Sequence, residues 1–155
     1  AGDAASACRQ AIAAIPLLSA RPEGEAIGSL SLGIVYGLLQ RWDEEREVLE
    51  RALVCHQSLD RPLQEALVRA RLAEAYARDG RRDEARELNQ AALLVIRAFG
   101  DRRREADVLV RLSQLAVRSE EARDQLRQAV ALYGRTGEEA ERSAALDLLA
   151  RVRAP

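Results

Sequence analysis

Residues 72–85 read Leu72-Ala73-Glu74-Ala75-Tyr76-Ala77-Arg78-Asp79-Gly80-Arg81-Arg82-Asp83-Glu84-Ala85. A small residue, Ala73, and a tyrosine three positions on, Tyr76, sit on one helical face. A glycine follows where a helix must end in a left-handed residue, and an acid-rich run then opens a second helix. The same text recurs at a fixed offset of 40 residues. Arg41-Trp42-Asp43-Glu44 lies over Arg81-Arg82-Asp83-Glu84, Tyr36 over Tyr76, and Ala52-Leu53 over Ala92-Leu93. Glu25-Ala26 lies over Glu65-Ala66 and again over Glu105-Ala106, and Leu32 over Leu72 and Leu112. A deletion of three residues falls in the third copy between Val117 and Glu121, after which Ala122 matches Ala85 and Ala129 matches Ala92. A half-copy precedes these, with Ala4 and Ala11 in register, and another follows from Glu139-Ala140 to Leu146. Self-similarity at a fixed period of this length is the mark of a repeat architecture.

Each copy reads as two helices. Ile27, Leu30, Ile34 and Leu38 recur at three- and four-residue spacing, and no period-2 alternation competes with them. Asp43 and Asp83 are predicted N-caps, with Asp60 before Pro62, and Thr136 followed by Glu139, as further helix-start signals. The reading is an all-α chain of about eight helices, over 3–15, 22–39, 43–59, 62–79, 83–98, 102–117, 119–133 and 138–152. Pro16 ends or kinks the first. The domain plan is a single repeat domain over 1–155: a half repeat 1–21, repeats 22–60, 61–100 and 101–136, and a half repeat 137–155. The absent initiator Met marks a processed chain or, by this reading, a fragment of a larger protein.

The residues Leu32-Gly33-x-x-Tyr36, Leu72-Ala73-x-x-Tyr76 and Gly80-x-x-Asp83-Glu84-Ala85, with Ala92 beyond, resemble the tetratricopeptide repeat family. The first copy has Glu45 where alanine is usual, and Ser113 and Ala116 make the third degenerate. The resemblance implies a right-handed superhelical solenoid of antiparallel helix pairs. Gly33 and Ala73 then allow close helix approach, Tyr36 and Tyr76 fill the wedge, and Ala52, Ala92 and Ala129 let the second helix pack on the next pair. The period exceeds the ordinary ~34 residues. That long form is similar to the sensor regions of bacterial LuxR-type and STAND transcription regulators, and to kinesin light chains. High Ala and Arg in place of Lys tilt the expectation toward a bacterial regulator.

Composition narrows the function. Of 155 residues, 24 are basic and 25 acidic, a net charge of -1, so the cationic surplus needed for nucleic-acid binding is missing. Aromatics make up 3%, too few for base-stacking platforms. No apolar run approaches the ~20 residues of a membrane span, and no secretory signal opens the chain, which leaves a cytoplasmic location as the default. Cys8 and Cys55 fall in Ala- and Leu-rich runs and read as small buried apolar groups. The lone His56 points about 100° away from Cys55 on a helix, so the two do not make a thiolate–imidazole pair. Metal-ligand spacings, phosphate loops and catalytic constellations are absent from the sequence, so the expectation is a non-enzyme without cofactor or metal.

The resemblance implies a protein or peptide partner in the concave groove lined by the first helix of each pair. The groove positions so carried over are Leu30, Ile34 and Leu38, then Leu67, Glu74 and Arg78, then Val110, Gln114 and Arg118. Ile27, Gly37, Ala70, Ala77, Asp107 and Val117 share those faces, and Glu141, Ala144 and Leu148 continue them. The groove is apolar at its start and charged at its end. Arg78 and Arg118 fall at matched positions, where side by side they would clamp a carboxylate or phosphate; local pairing with Glu74 or Asp79 is the alternative. Leu30 and Ile34 stand where chaperone-binding members of the family need polar groups, which argues against that class of partner. The run Arg102-Arg103-Arg104 opposes a helix dipole and calls for compensation by Asp101 or Glu105. Two other functions are consistent with the sequence: sensing of a small-molecule effector, and self-association, including a homodimer, through the solenoid ends.

Overall fold

The computed structural model describes residues 22–152, and within them every regular element is a helix. They are α1 (Pro22–Leu38), α2 (Trp42–Ser58), α3 (Pro62–Arg78), α4 (Arg82–Ala98), α5 (Arg102–Leu115), α6 (Ser119–Thr136) and α7 (Glu139–Arg151). The expected half repeat 1–21, with its helix, Pro16 and Cys8, lies outside the described residues.

The repeat is written in the helix starts. Four successive helices of 17 residues begin at 22, 42, 62 and 82, so a helix and its turn occupy 20 residues and a pair occupies 40. The residues beyond the ordinary repeat length therefore go into longer helices, and the turns stay at three residues. Each turn has its middle residue in the left-handed region: Gln40 (φ 58), Asp60 (φ 49), Gly80 (φ 78) and Gly100 (φ 72). The residue after it sends its N–H back five positions, as Arg41 does to the Tyr36 carbonyl at 2.9 Å and Arg81 to the Tyr76 carbonyl at 2.9 Å. This closes the orphan carbonyls of the helix end.

That same residue is the N-cap of the next helix, which corrects the expected caps. Arg41 and Arg81 are the N-caps of α2 and α4, with no capping side-chain bond. Asp43 and Asp83 lie one step inside the first turn, where they pair with Arg46 (3.0 Å) and Arg86 (3.5 Å). Asp101 does cap with its side chain, accepting the Arg104 N–H at 3.1 Å. Thr136 is likewise no start signal. It is the last residue of α6, its hydroxyl bonding back to the Leu132 and Tyr133 carbonyls, and Gly137 (φ 82) ends the helix.

The chain divides into two compact units, residues 1–75 and 76–155, with the boundary inside α3. In the first, α1 packs along α2, with Leu32, Val48, Leu49 and Ala52 buried. The helices meet at Gly33, where a Cβ would come within 2.7 Å of the Leu49 side chain, so the expected close approach is present. In the second, α4 packs on α5, α5 on α6 and α6 on α7, around Ile96, Leu109, Leu112, Leu126 and Tyr133. Ala85, Ala92, Ala106, Ala122 and Ala129 are buried, which lets these helix axes approach closely. His56 is also core, 1% exposed, and the neighbouring Cys55 is half-buried.

Candidate functional site

In the first unit the groove positions are α1 side chains spaced one turn apart. Leu30 is half-buried, Ile34 is 42% exposed and Leu38 is 73% exposed. Ile34 and Leu38 therefore form an i, i+4 apolar stripe open to solvent. On α3, Leu67 is half-buried and Glu74 accepts a hydrogen bond from Arg71 at 3.0 Å. The Arg71 guanidinium also lies 3.8 Å from Glu45, a carboxylate only 1% exposed. Glu45 takes the place that Ala85 and Ala122 hold in the later copies, and its bulk fits because Gly37 faces it. A Cβ on residue 37 would stand 2.7 Å from the Glu45 Oε1. Arg71 thus lies between the buried Glu45 carboxylate and that of Glu74.

In the second unit, Arg78 occupies the last turn of α3 and is exposed, and Val110 is half-buried on α5. Gln114 is exposed, and its backbone carbonyl accepts the Arg82 Nη2–H at 2.7 Å. Arg118 is not on the same helical face. The three-residue deletion shortens α5 to 14 residues, ending at Leu115, and Ala116 (ψ 140) and Arg118 (ψ 134) are extended. Val117 goes with them and is 80% exposed. Arg118 is the N-cap of α6, so its counterparts are Arg41 and Arg81, and the match with Arg78 fails. Its side chain pairs with Glu120 at 3.4 Å. Further along, Glu141 faces Arg103 at 4.0 Å, Ala144 is exposed and Leu148 is half-buried.

A recurring polar staple escaped the sequence reading. Arg41 stacks over the Tyr36 ring at 4.7 Å and bonds Glu44 at 2.6 Å. Arg81 stacks over Tyr76 at 3.9 Å and bonds Glu84 through two guanidinium nitrogens. The hydrogen bond to Glu84 raises the Arg81 pKa, and the same bond lowers that of Glu84. The signal was present as Tyr-x4-Arg-x2-Glu in two successive copies, at the standard offset of 40. It stitches the end of one helix to the start of the next and leaves Arg41 and Arg81 turned toward the wedge tyrosines.

The arginine run at 102–104 is compensated by Asp101 and Glu138, while the expected Glu105 is engaged elsewhere. Asp101 pairs with Arg104, Glu138 with Arg103 at 3.1 Å, and Glu105 is taken by Arg97 at 2.7 Å. Among the described residues no group of three His, Cys, Asp or Glu side chains is arranged to hold a metal. Among them too, no helix is long and apolar enough to cross a membrane.

No family model and no curated protein matches the sequence. Solved structures do match its fold. BtubC (BKLC) from P. vanneervenii superposes with a TM-score of 0.74 at 18% identity, covering 98% of this chain and 74% of that one. A Podosopora anserina protein with nearly identical TPR-like repeats, described as a kinesin light chain, gives 0.77 at 21% identity, covering 97% and 77%. A STAND signal-transduction ATPase of Pyrococcus horikoshii, with a tetratricopeptide repeat sensor, gives 0.79 at 18% identity; the match covers 96% of this chain and 24% of that protein. The fold of this chain is the tetratricopeptide-type repeat of antiparallel helix pairs.

Proposed function

We propose that the chain is a non-enzymatic protein-interaction module, acting as the interaction or sensor segment of a larger bacterial regulatory protein. It would take an apolar peptide or helix along α1. The observation that carries this reading is the exposed Ile34–Leu38 stripe. At the equivalent positions the second copy has Glu74 and Arg78 and the third has Gln114, so solvent exposure at these sites normally selects polar residues. Two apolar residues kept at exposed, groove-facing positions of one copy are suited to anchor a partner. The likeness to a STAND protein whose repeats are a sensor supports the regulator context.

The test is a displayed-peptide library panned against the full chain and against Ile34→Ser/Leu38→Ser. Enrichment of an apolar consensus on the wild type, lost in the variant at unchanged helix content, is the expected result. An identical consensus from both would overturn the site. An ATPase or helix-turn-helix domain in the same reading frame would support the regulator context, and a stand-alone gene would refute it.

A further inference from the structure

Self-similar repeats carry a hazard of their own: second helices that share one apolar pattern compete for the same first helices during folding. Helices α2, α4 and α6 superpose at offsets of 40 and 37 residues, and each has a seam of four buried residues at i, i+4, i+7 and i+11. The third level of the seam is alanine in all three, as Ala52, Ala92 and Ala129. The polar groups do not repeat. They are Glu45 and His56 at the first and fourth levels of α2, Asn89 at the second of α4, and Tyr133 at the fourth of α6, each at most 3% exposed.

Two of these groups are suited by one first helix each. On α2, Glu45 takes the space opened by Gly37 on α1, where a Cβ would stand 2.7 Å from Oε1. At that level α3 has Ala77, so a helix carrying Glu45 would be overpacked there, and in the third copy Val117 lies beyond the end of α5. On α6, the Tyr133 hydroxyl donates to Asp107 of α5 at 2.6 Å. The other two copies have Ile27 and Leu67 in place of Asp107, residue types without an acceptor. Joined to either of those helices, α6 would bury an unmatched hydroxyl. Joined to α5, the Ile96 of α4 would leave Asp107 without its donor. Each such fault disfavours the wrong partner by about tenfold or more.

We propose that Gly37–Glu45 and Asp107–Tyr133 form a pairing code, which holds a second helix to the first helix of its own repeat while the chain folds. It keeps α1 from joining α4 or α6, and α5 from joining α2 or α4. The selection acts between competing pairings of one sequence, so it is distinct from the stability each pair lends the finished fold. It is independent of the Ile34–Leu38 stripe and of whatever binds there.

The test is refolding of the full chain from urea, followed by far-UV circular dichroism and by the fluorescence of Trp42, the sole tryptophan. Gly37→Ala/Glu45→Ala/Asp107→Leu/Tyr133→Phe erases the code. This variant should show a slow phase of about threefold the wild-type amplitude or more, which low urea accelerates, because a mispaired helix must separate before it can pair correctly. Leu109→Ala truncates the core with the code intact and should keep the wild-type amplitude. Gly37→Ala/Glu45→Ala and Asp107→Leu/Tyr133→Phe each erase half the code and should give intermediate amplitudes, which keeps the test decisive if the quadruple variant fails to fold. Wild-type amplitudes in the code variants, a slow phase that urea retards, or an equal slow phase in Leu109→Ala would each overturn the proposal.

Discussion

The Glu45 carboxylate occupies the space a side chain on Gly37 would need: a Cβ there would stand 2.7 Å from Oε1. At the matching positions the second copy carries Ala77 and Ala85, so methyl with methyl has been exchanged for hydrogen with carboxylate. Arg71, 3.8 Å from Glu45, supplies a countercharge to the buried carboxylate.

The two residues should therefore be coupled. Gly37→Ala alone drives a methyl into the carboxylate of a buried glutamate, and overpacking of this kind costs about 1–3 kcal/mol. Glu45→Ala alone empties the site and leaves Arg71 with Glu74 as its remaining acid here. Gly37→Ala/Glu45→Ala restores the second copy's pairing, and its loss should fall below the sum of the singles by about 1 kcal/mol or more. Urea denaturation of the four proteins measures this. An additive cycle would show that the carboxylate swings away freely.

How much of this was written in the sequence depends on the physical range of each interaction. Helix starts and ends are set locally, by Gly80 and by the three- and four-residue apolar spacing, and from residue 22 on the predicted spans agree with the structure to within a few residues. The Arg118 placement failed because a deletion shifts everything after it. Alignment put the gap beyond residue 117, while the backbone absorbs it by losing the last turn of α5. The Gly37–Glu45–Arg71 arrangement joins three helices, and one copy's departure from the pattern does not reveal where the compensation lies.

Gln40 and Gly80 occupy the same point of successive turns, at φ 58 and φ 78. A non-glycine residue pays about 1–2 kcal/mol for the left-handed conformation, whereas glycine adopts it freely at the cost of a more mobile unfolded chain. Gln40→Gly should stabilise the protein by about 0.5–1 kcal/mol and Gly80→Ala should destabilise it by about 1 kcal/mol. Midpoints of thermal unfolding moving the other way would disprove the turn equivalence.

Asp101 is a side-chain N-cap and a pH-dependent one. Partial burial pushes its pKa up, but the hydrogen bonds from the Arg104 side chain and backbone outweigh this and hold it below the ordinary 3.8. A depressed carboxylate stabilises the fold fully above the unfolded value, and that contribution fades as pH falls through the folded one. Asp101→Ala should cost about 1 kcal/mol at neutral pH. The gap from wild type should narrow only below pH 3.8, and a gap independent of pH would remove the charge from the explanation.

Tyr133 is buried with its hydroxyl on Asp107 at 2.6 Å, joining the end of α6 to the middle of α5. Burial raises its pKa first, and the Asp107 hydrogen bond and charge raise it further above the ordinary 10.0. For an acid whose neutral form is favoured in the fold, the stabilisation is complete below the unfolded pKa and is lost as pH climbs through the folded one. Absorbance titration of the native chain, which has three tyrosines, should therefore show one phenol ionising far above pH 10.0, or only as the protein unfolds. Tyr133→Phe should abolish that late phase. At neutral pH it leaves the Asp107 carboxylate short of a donor at a half-buried position and should cost about 1–2 kcal/mol. If the late phase persists in Tyr133→Phe, it belongs to another tyrosine, and the Tyr133–Asp107 bond does not tie α6 to α5 in solution.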